Sequence, residues 1–141
     1  MTINDYLDME ALDNILEQWA AATHMIAVVL DDEGNFLSNK LGFSRNNVEA
    51  FGKSIEVDDV EVATVVGGPL DEDTDEEVVE ASAAILVAAV QNLLEAGYRK
   101  KKYEEAIASF NEEIDGAAAL IKELAGKSQG LKKIENKQNI L

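Results

Sequence analysis

The stretch Ser54-Ile55-Glu56-Val57-Asp58-Asp59-Val60-Glu61-Val62-Ala63-Thr64-Val65-Val66-Gly67-Gly68-Pro69 decides how this chain folds. Ile55, Val57, Val60, Val62 and Val65 are β-branched and broken only by Asp58-Asp59, so residues 54–57 and 60–66 read as the strands of a hairpin ending at Gly67-Gly68-Pro69. Upstream, residues 25–30 form another short β-rich run. Asp31-Asp32-Glu33-Gly34 then supplies a turn with glycine where φ must be positive, and residues 35–38 resume as a strand. Two hairpins make a four-stranded antiparallel sheet. Between them, residues 46–51 read as one or two helical turns closed by Gly52.

Helices flank this sheet on both sides in sequence. Leu12, Ile15, Leu16 and Trp19 fall at i, i+3, i+4 and i+7 among Asp8, Glu10, Asp13 and Glu17, which predicts an amphipathic helix over 8–23. Beyond the acidic loop 71–73, Thr74 and Glu77 have the spacing of a capping box. The helix they open is apolar through Ile85, Leu86, Val87, Val90, Leu93 and Leu94 and is expected to pack on the sheet. The fold class is therefore α+β, a small sheet covered by an N-terminal helix and a long C-terminal one.

The 141 residues carry 12 Lys and Arg against 28 Asp and Glu, a formal net charge of −16. Such a chain repels phosphate backbones and anionic headgroups, which excludes nucleic acid and membrane surfaces as expected partners. Hydrophobic residues make up 47%, enough to build a core. Without cysteine there is no disulfide, thiolate metal site or cysteine nucleophile. Residues 1–10 are acidic and lack the basic-then-apolar order of a secretory signal, so a cytoplasmic location is expected. The longest uncharged stretch, 81–94, falls short of the roughly 20 apolar residues of a spanning helix and reads as a buried helix of a soluble protein.

The charge is unevenly spread, at −18 over residues 1–98 and +2 over 99–141. The break begins at Arg99-Lys100-Lys101-Lys102, after which Ile, Leu and Ala recur among Glu and Lys. Ile107, Phe110, Ile114, Ala117, Ile121, Leu124, Ser128 and Leu131 alternate by three and four, the seam of a coiled coil. Gly97, Gly116, Gly126 and Gly130 each weaken a helix by about 1 kcal/mol relative to Ala. The expected organisation is a head over 1–98 and a stalk over 99–141 that is marginal alone and stabilised by forming a homodimer. Parallel pairing would place both heads at one end, and the seam alone leaves the orientation open.

Three pieces of the chain resemble the PocR-type sensory domain, a PAS-like fold. Leu12 and the residues after it, through Thr23-His24-Met25-Ile26-Ala27-Val28-Val29-Leu30-Asp31 and the Gly34 turn, look like its opening. Thr64-Val65-Val66-Gly67-Gly68 looks like its last strand, and residues 80–102, with Asn92-Leu93 and Tyr98, like its closing helix. Residues 111–141, including Ile121-Lys122-Glu123-Leu124 and Lys133-Ile134-Glu135-Asn136-Lys137-Gln138, resemble the coil that leads into a methyl-accepting chemoreceptor signalling region. The resemblance implies a sensor of a small organic ligand coupled through a helix to a signalling coil. It is to a shortened form: only residues 38–54 stand where the family carries a long insert, and the tip that contacts the chemotaxis kinase is absent.

Candidate chemistry is sparse. His24 is the only histidine, so no triad, histidine acid/base pair or multi-histidine metal site can be assembled within one chain. Asp71, Glu72, Asp73, Asp75, Glu76 and Glu77 could offer oxygens to a hard cation, but acids ahead of a helix are also what its dipole favours. Gly67-Gly68 lacks the third glycine and the lysine of a phosphate loop. Trp19, Phe36, Phe43 and Phe51 are candidates to line a small apolar ligand pocket, with core packing as the simpler reading. Neither cofactor nor metal is expected. The function expected is a non-enzymatic sensory module. The alternative is a structural or dimerisation module without a ligand, engineered or derived by deletion.

Overall fold

The protein is described by a computed structural model covering residues 1–39, 41–43, 49–71 and 73–140, with side chains described as far as Lys127. Asp8 opens the first helix: its carboxylate accepts from the Ala11 N–H at 3.1 Å, and α1 runs over Met9–Thr23. His24 closes α1 in the left-handed conformation, φ 56°, its N–H donating to the Ala20 carbonyl at 2.9 Å. That reversal feeds straight into β1 (Met25–Asp31), and Gly34 at φ 83° turns the chain into β2 (Phe36–Ser38). The second hairpin is β3 (Phe51–Val57) and β4 (Val60–Pro69), and α2 follows over Glu76–Ile140.

The sheet is antiparallel with strand order β2-β1-β4-β3, the four-stranded arrangement expected from two hairpins. The hairpins join through their inner strands, Met25 opposite Pro69 and Val28 opposite Val66. Alternation along β1 then sorts its side chains between two faces. Met25, Ala27 and Val29 join Leu12, Leu16, Trp19, Ile55, Val65, Leu86, Val90 and Leu94 in the main core under both helices. Ile26 and Val28 pack on the opposite face with Val66 and Phe43.

Three local expectations are corrected. Phe51 and Gly52 do not end a helical turn; they are the first residues of β3, which begins earlier than residue 54 because Phe51 pairs with Gly67 and Gly52 with Val66. Residues 46–48, the rest of that expected turn, lie outside the described residues. The cap of α2 is Asp75, whose carboxylate accepts from the Glu77 N–H at 3.0 Å, while the Thr74 hydroxyl turns back to the Asp71 carbonyl at 3.0 Å. Ile85 does not pack on the sheet but points away from the core and is 68% exposed.

The chain divides into two compact units, Met1–Lys101 and Lys102–Leu141. By length and composition alone, α2 within Glu76–Lys127 contains a window apolar enough to cross a membrane, 33% of it buried inside the protein. Part of that uncharged stretch has a place in the fold: Ala83, Leu86, Val90 and Leu94 fill the main core.

Candidate functional site

The first unit holds its helices against the sheet by a few specific polar contacts. The Trp19 indole N–H donates 2.9 Å to the Ser82 carbonyl, a buried bond between α1 and α2. The Trp19 ring meets Phe51 edge-on at 6.1 Å, so β3 joins the same cluster. Phe51 sits there because β4 offers Gly67 opposite it: a Cβ on Gly67 would stand 2.8 Å from the Phe51 ring and 2.5 Å from the Ile26 carbonyl oxygen. Asp13, buried on α1, accepts a hydrogen bond from the Ser38 hydroxyl at the end of β2. Beside Trp19 runs a largely apolar groove of about 380 Å³ between α1 and α2, with Ile15, Ala22, Ile85 and Ala89 in its walls.

Of the four aromatics expected to gather, the structure brings Trp19 and Phe51 together and leaves the others apart. Phe43 is buried on the opposite face of the sheet, where Asn39 ties down its backbone by two bonds, 2.7 Å from the Phe43 N–H and 2.8 Å to its carbonyl. Phe36 is 52% exposed at the start of β2. His24 is exposed and acts through its backbone, as the end of α1.

A second constellation lies at the last turns of α2 within this unit. The chain begins with a 3-10 turn, Ile3–Asp5, closed by the Thr2 N–H donating to the Asp5 carboxylate at 2.6 Å. Tyr6 follows and meets Tyr98 edge-on at 5.4 Å. Gly97 makes this possible, since a Cβ there would collide with the Tyr6 carbonyl. Tyr98 in turn donates 3.0 Å to the Asp58 carboxylate in the β3–β4 turn. Hydrogen bonding from the Thr2 backbone holds the Asp5 carboxyl below the usual carboxylate range, with the N-terminal charge and Lys101 contributing in the same direction. Burial pushes the Tyr6 phenol up, and Tyr98 adds to the shift. This junction between the N-terminus, α2 and the hairpin turn has no local sequence signal; Gly97 inside a helical run is its one trace.

In the second unit, the expected seam residues are all solvent-exposed: Ile107, Phe110, Ile114, Ala117, Ile121 and Leu124, with Phe110 at 61%. Tyr103, which precedes Ile107 by four, is exposed too, as is Leu120. Ser128 and Leu131 lie outside the residues whose side chains are described. Lys127 pairs with Glu123 at 3.7 Å, one turn apart, and in the first unit Arg99 pairs with Glu95 at 3.4 Å in the same way. Among the described residues, no group of three His, Asp or Glu side chains is placed to hold a metal ion. Comparison with protein-family models, with curated proteins and with solved structures gives no match.

Proposed function

We propose that the chain is a non-enzymatic, cytoplasmic sensory module in which a PAS-like head, similar to a shortened PocR-type domain, governs a homodimeric helical output of the chemoreceptor type. One observation carries this reading: α2 supplies Val79, Ala83, Leu86, Val90 and Leu94 to the core of the first unit, and the same element continues into an exposed heptad stripe from Tyr103 to Leu124. Large apolar side chains repeated at three and four on an exposed helix are unfavourable in water and favour a partner helix. A change in how the first part of α2 packs is then a change in the element that bears the seam. The Trp19–Phe51 pair, bonded to α2 at Ser82, is where a small organic ligand would act on that packing.

A thermal-shift screen of the intact chain with small diols, carboxylates and aromatic acids tests the sensory half of the proposal. A ligand at a hundredfold excess over its Kd stabilises the folded protein by about 2.7 kcal/mol. A shift of that order with one class supports sensing. A flat response across all three, with the dimer intact, favours a structural dimerisation module, a reading that the close packing of Trp19 and Phe51 supports.

A further inference from the structure

We infer that the two stalks of the dimer run antiparallel: the partner on the exposed stripe of α2 is a second copy of this chain in the reverse direction, with Ile114 against the partner's Leu124 and Ala117 against the partner's Ile121. This rests on the proposed homodimer and names the orientation that the seam alone leaves open. Ile107, Phe110, Ile114, Ala117, Ile121 and Leu124 are exposed and step by three and four. Read backwards from Leu124 the steps are again three, then four, so copies in opposite directions still meet layer for layer.

Charge along the stalk selects the direction. Residues 103–115 carry Glu104, Glu105, Glu112, Glu113 and Asp115 and no cation, a charge of −5, whereas residues 116–141 carry five lysines and two glutamates, a charge of +3. Parallel pairing sets the acidic segment beside its own copy for its whole length. Reversal sets each acidic segment beside the other chain's basic one. The heads add to the same preference. Each carries −18, and parallel stalks bring both to one end, while reversal brings them in at opposite ends of a seam that spans about 30 Å from Tyr103 to Leu124, roughly three Debye lengths at 0.1 M salt.

Side-chain size selects the register. In a parallel pair Ala117 meets Ala117 and Phe110 meets Phe110, a thin layer beside a thick one. With Ile114 level with the partner's Leu124, each Ala117 is instead filled by an isoleucine, and the two-fold axis passes near Ala118 and Leu120, both exposed and uncharged beside the seam. The same register places Glu113 across from the partner's Lys127, both exposed, and symmetry makes that ion pair twice. Lys127 pairs with Glu123 at 3.7 Å within its own helix and is exposed enough to serve both carboxylates. One heptad away, the register that levels Ile114 with Ala117 sets Glu113 against Leu120.

The chain has no cysteine, so introduced thiols report without ambiguity. Ile114→Cys and Leu124→Cys are made separately in the intact chain, sedimented, and then oxidised alone and as an equimolar mixture after subunit exchange. The expected result is covalent dimer from the mixture, joining position 114 of one copy to position 124 of the other. Either protein alone should give little, because its two thiols lie about 15 Å apart along the stalk. Strong cross-linking of each alone, as parallel copies in register give, overturns the orientation and leaves the homodimer standing. Sedimentation of the unsubstituted chain as a monomer overturns both. Variants that sediment as dimers and cross-link in none of the three samples overturn the register, and the inference with it. A nitroxide on Glu105→Cys, exposed and outside the seam, reads the direction without touching the packed layers. Reversal separates the two labels by about 40 Å, and a separation of about 25 Å or less overturns it.

Discussion

The indole N–H of Trp19 reaches 63 residues along the chain to donate a 2.9 Å hydrogen bond to the backbone carbonyl of Ser82. The bond is buried and ties α1 directly to the part of α2 that covers the sheet. It makes the position of α2 depend on a side chain that also touches β3 through Phe51. Trp19→Phe keeps most of the apolar volume and removes the donor. The expected loss is about 1–3 kcal/mol, combining a hydrogen bond with a small void, measured by urea unfolding followed by circular dichroism, since Trp19 is the only tryptophan.

Glycines in one helix should respond with opposite signs. Replacing glycine by alanine in a helix interior normally stabilises by about 1 kcal/mol. Gly116 and Gly126 face open space, so Gly116→Ala should raise helicity and stability by that order. Gly97→Ala places a methyl against the Tyr6 carbonyl and should instead destabilise the first unit and expose Met1–Leu7 to protease. Thermal melts with limited proteolysis compare the two, and a stabilising Gly97→Ala would show that the Tyr6 contact is not maintained.

The β3–β4 turn carries avoidable strain. Asp58 and Asp59 sit at φ 54° and 63°, both left-handed, as a two-residue type I′ hairpin turn requires. Asp58 also accepts from Tyr98, but glycine suits the second position better. Asp59→Gly is therefore expected to stabilise by about 1 kcal/mol, read as a higher denaturant midpoint at unchanged slope.

The N-terminal turn should be bounded by pH on both sides. Asp5 is more acidic in the folded state, chiefly through the Thr2 backbone bond, so its contribution is present above about pH 4 and is lost as pH falls through the folded value. Tyr6 is less acidic when folded, through burial, so its contribution is present below about pH 10 and fades as pH rises through the folded value. Amide exchange of residues 2–7 should accelerate relative to β4 at both extremes. Asp5→Asn should remove the acid limb only.

The parts of this fold that were legible are those in which local chemistry and packing agree. The period Leu12, Ile15, Leu16 and Trp19 placed α1 to within a residue of its Met9–Thr23 bounds, and the 31–34 turn was plain from its glycine. The start of β3 was hidden because nothing in Phe51-Gly52-Lys53 looks like a strand; it forms because β4 is long enough to pair with it and has Gly67 where the Phe51 ring needs room. The orientation of Ile85 was hidden for another reason. Residues 81–94 are uncharged all round, so the sequence there does not mark the face that meets the sheet. Of the candidate site, the Trp19 stripe and the heptads from Ile107 to Leu124 could be read directly, whereas the Tyr6–Gly97–Tyr98 junction exists only through tertiary contact.

In the proposed module, packing in the head governs association of the stalk. It is tested by sedimentation equilibrium of the intact chain against Val90→Ala, a fully buried position outside the Ile107–Leu124 seam, whose truncation removes about 1–2 kcal/mol of core burial. The intact chain should be a dimer, and Val90→Ala, with its secondary structure retained, should dimerise more weakly, by about tenfold if the whole loss is transmitted. A monomeric intact chain, or a Val90→Ala dimer of unchanged Kd whose head is measurably destabilised, would contradict it.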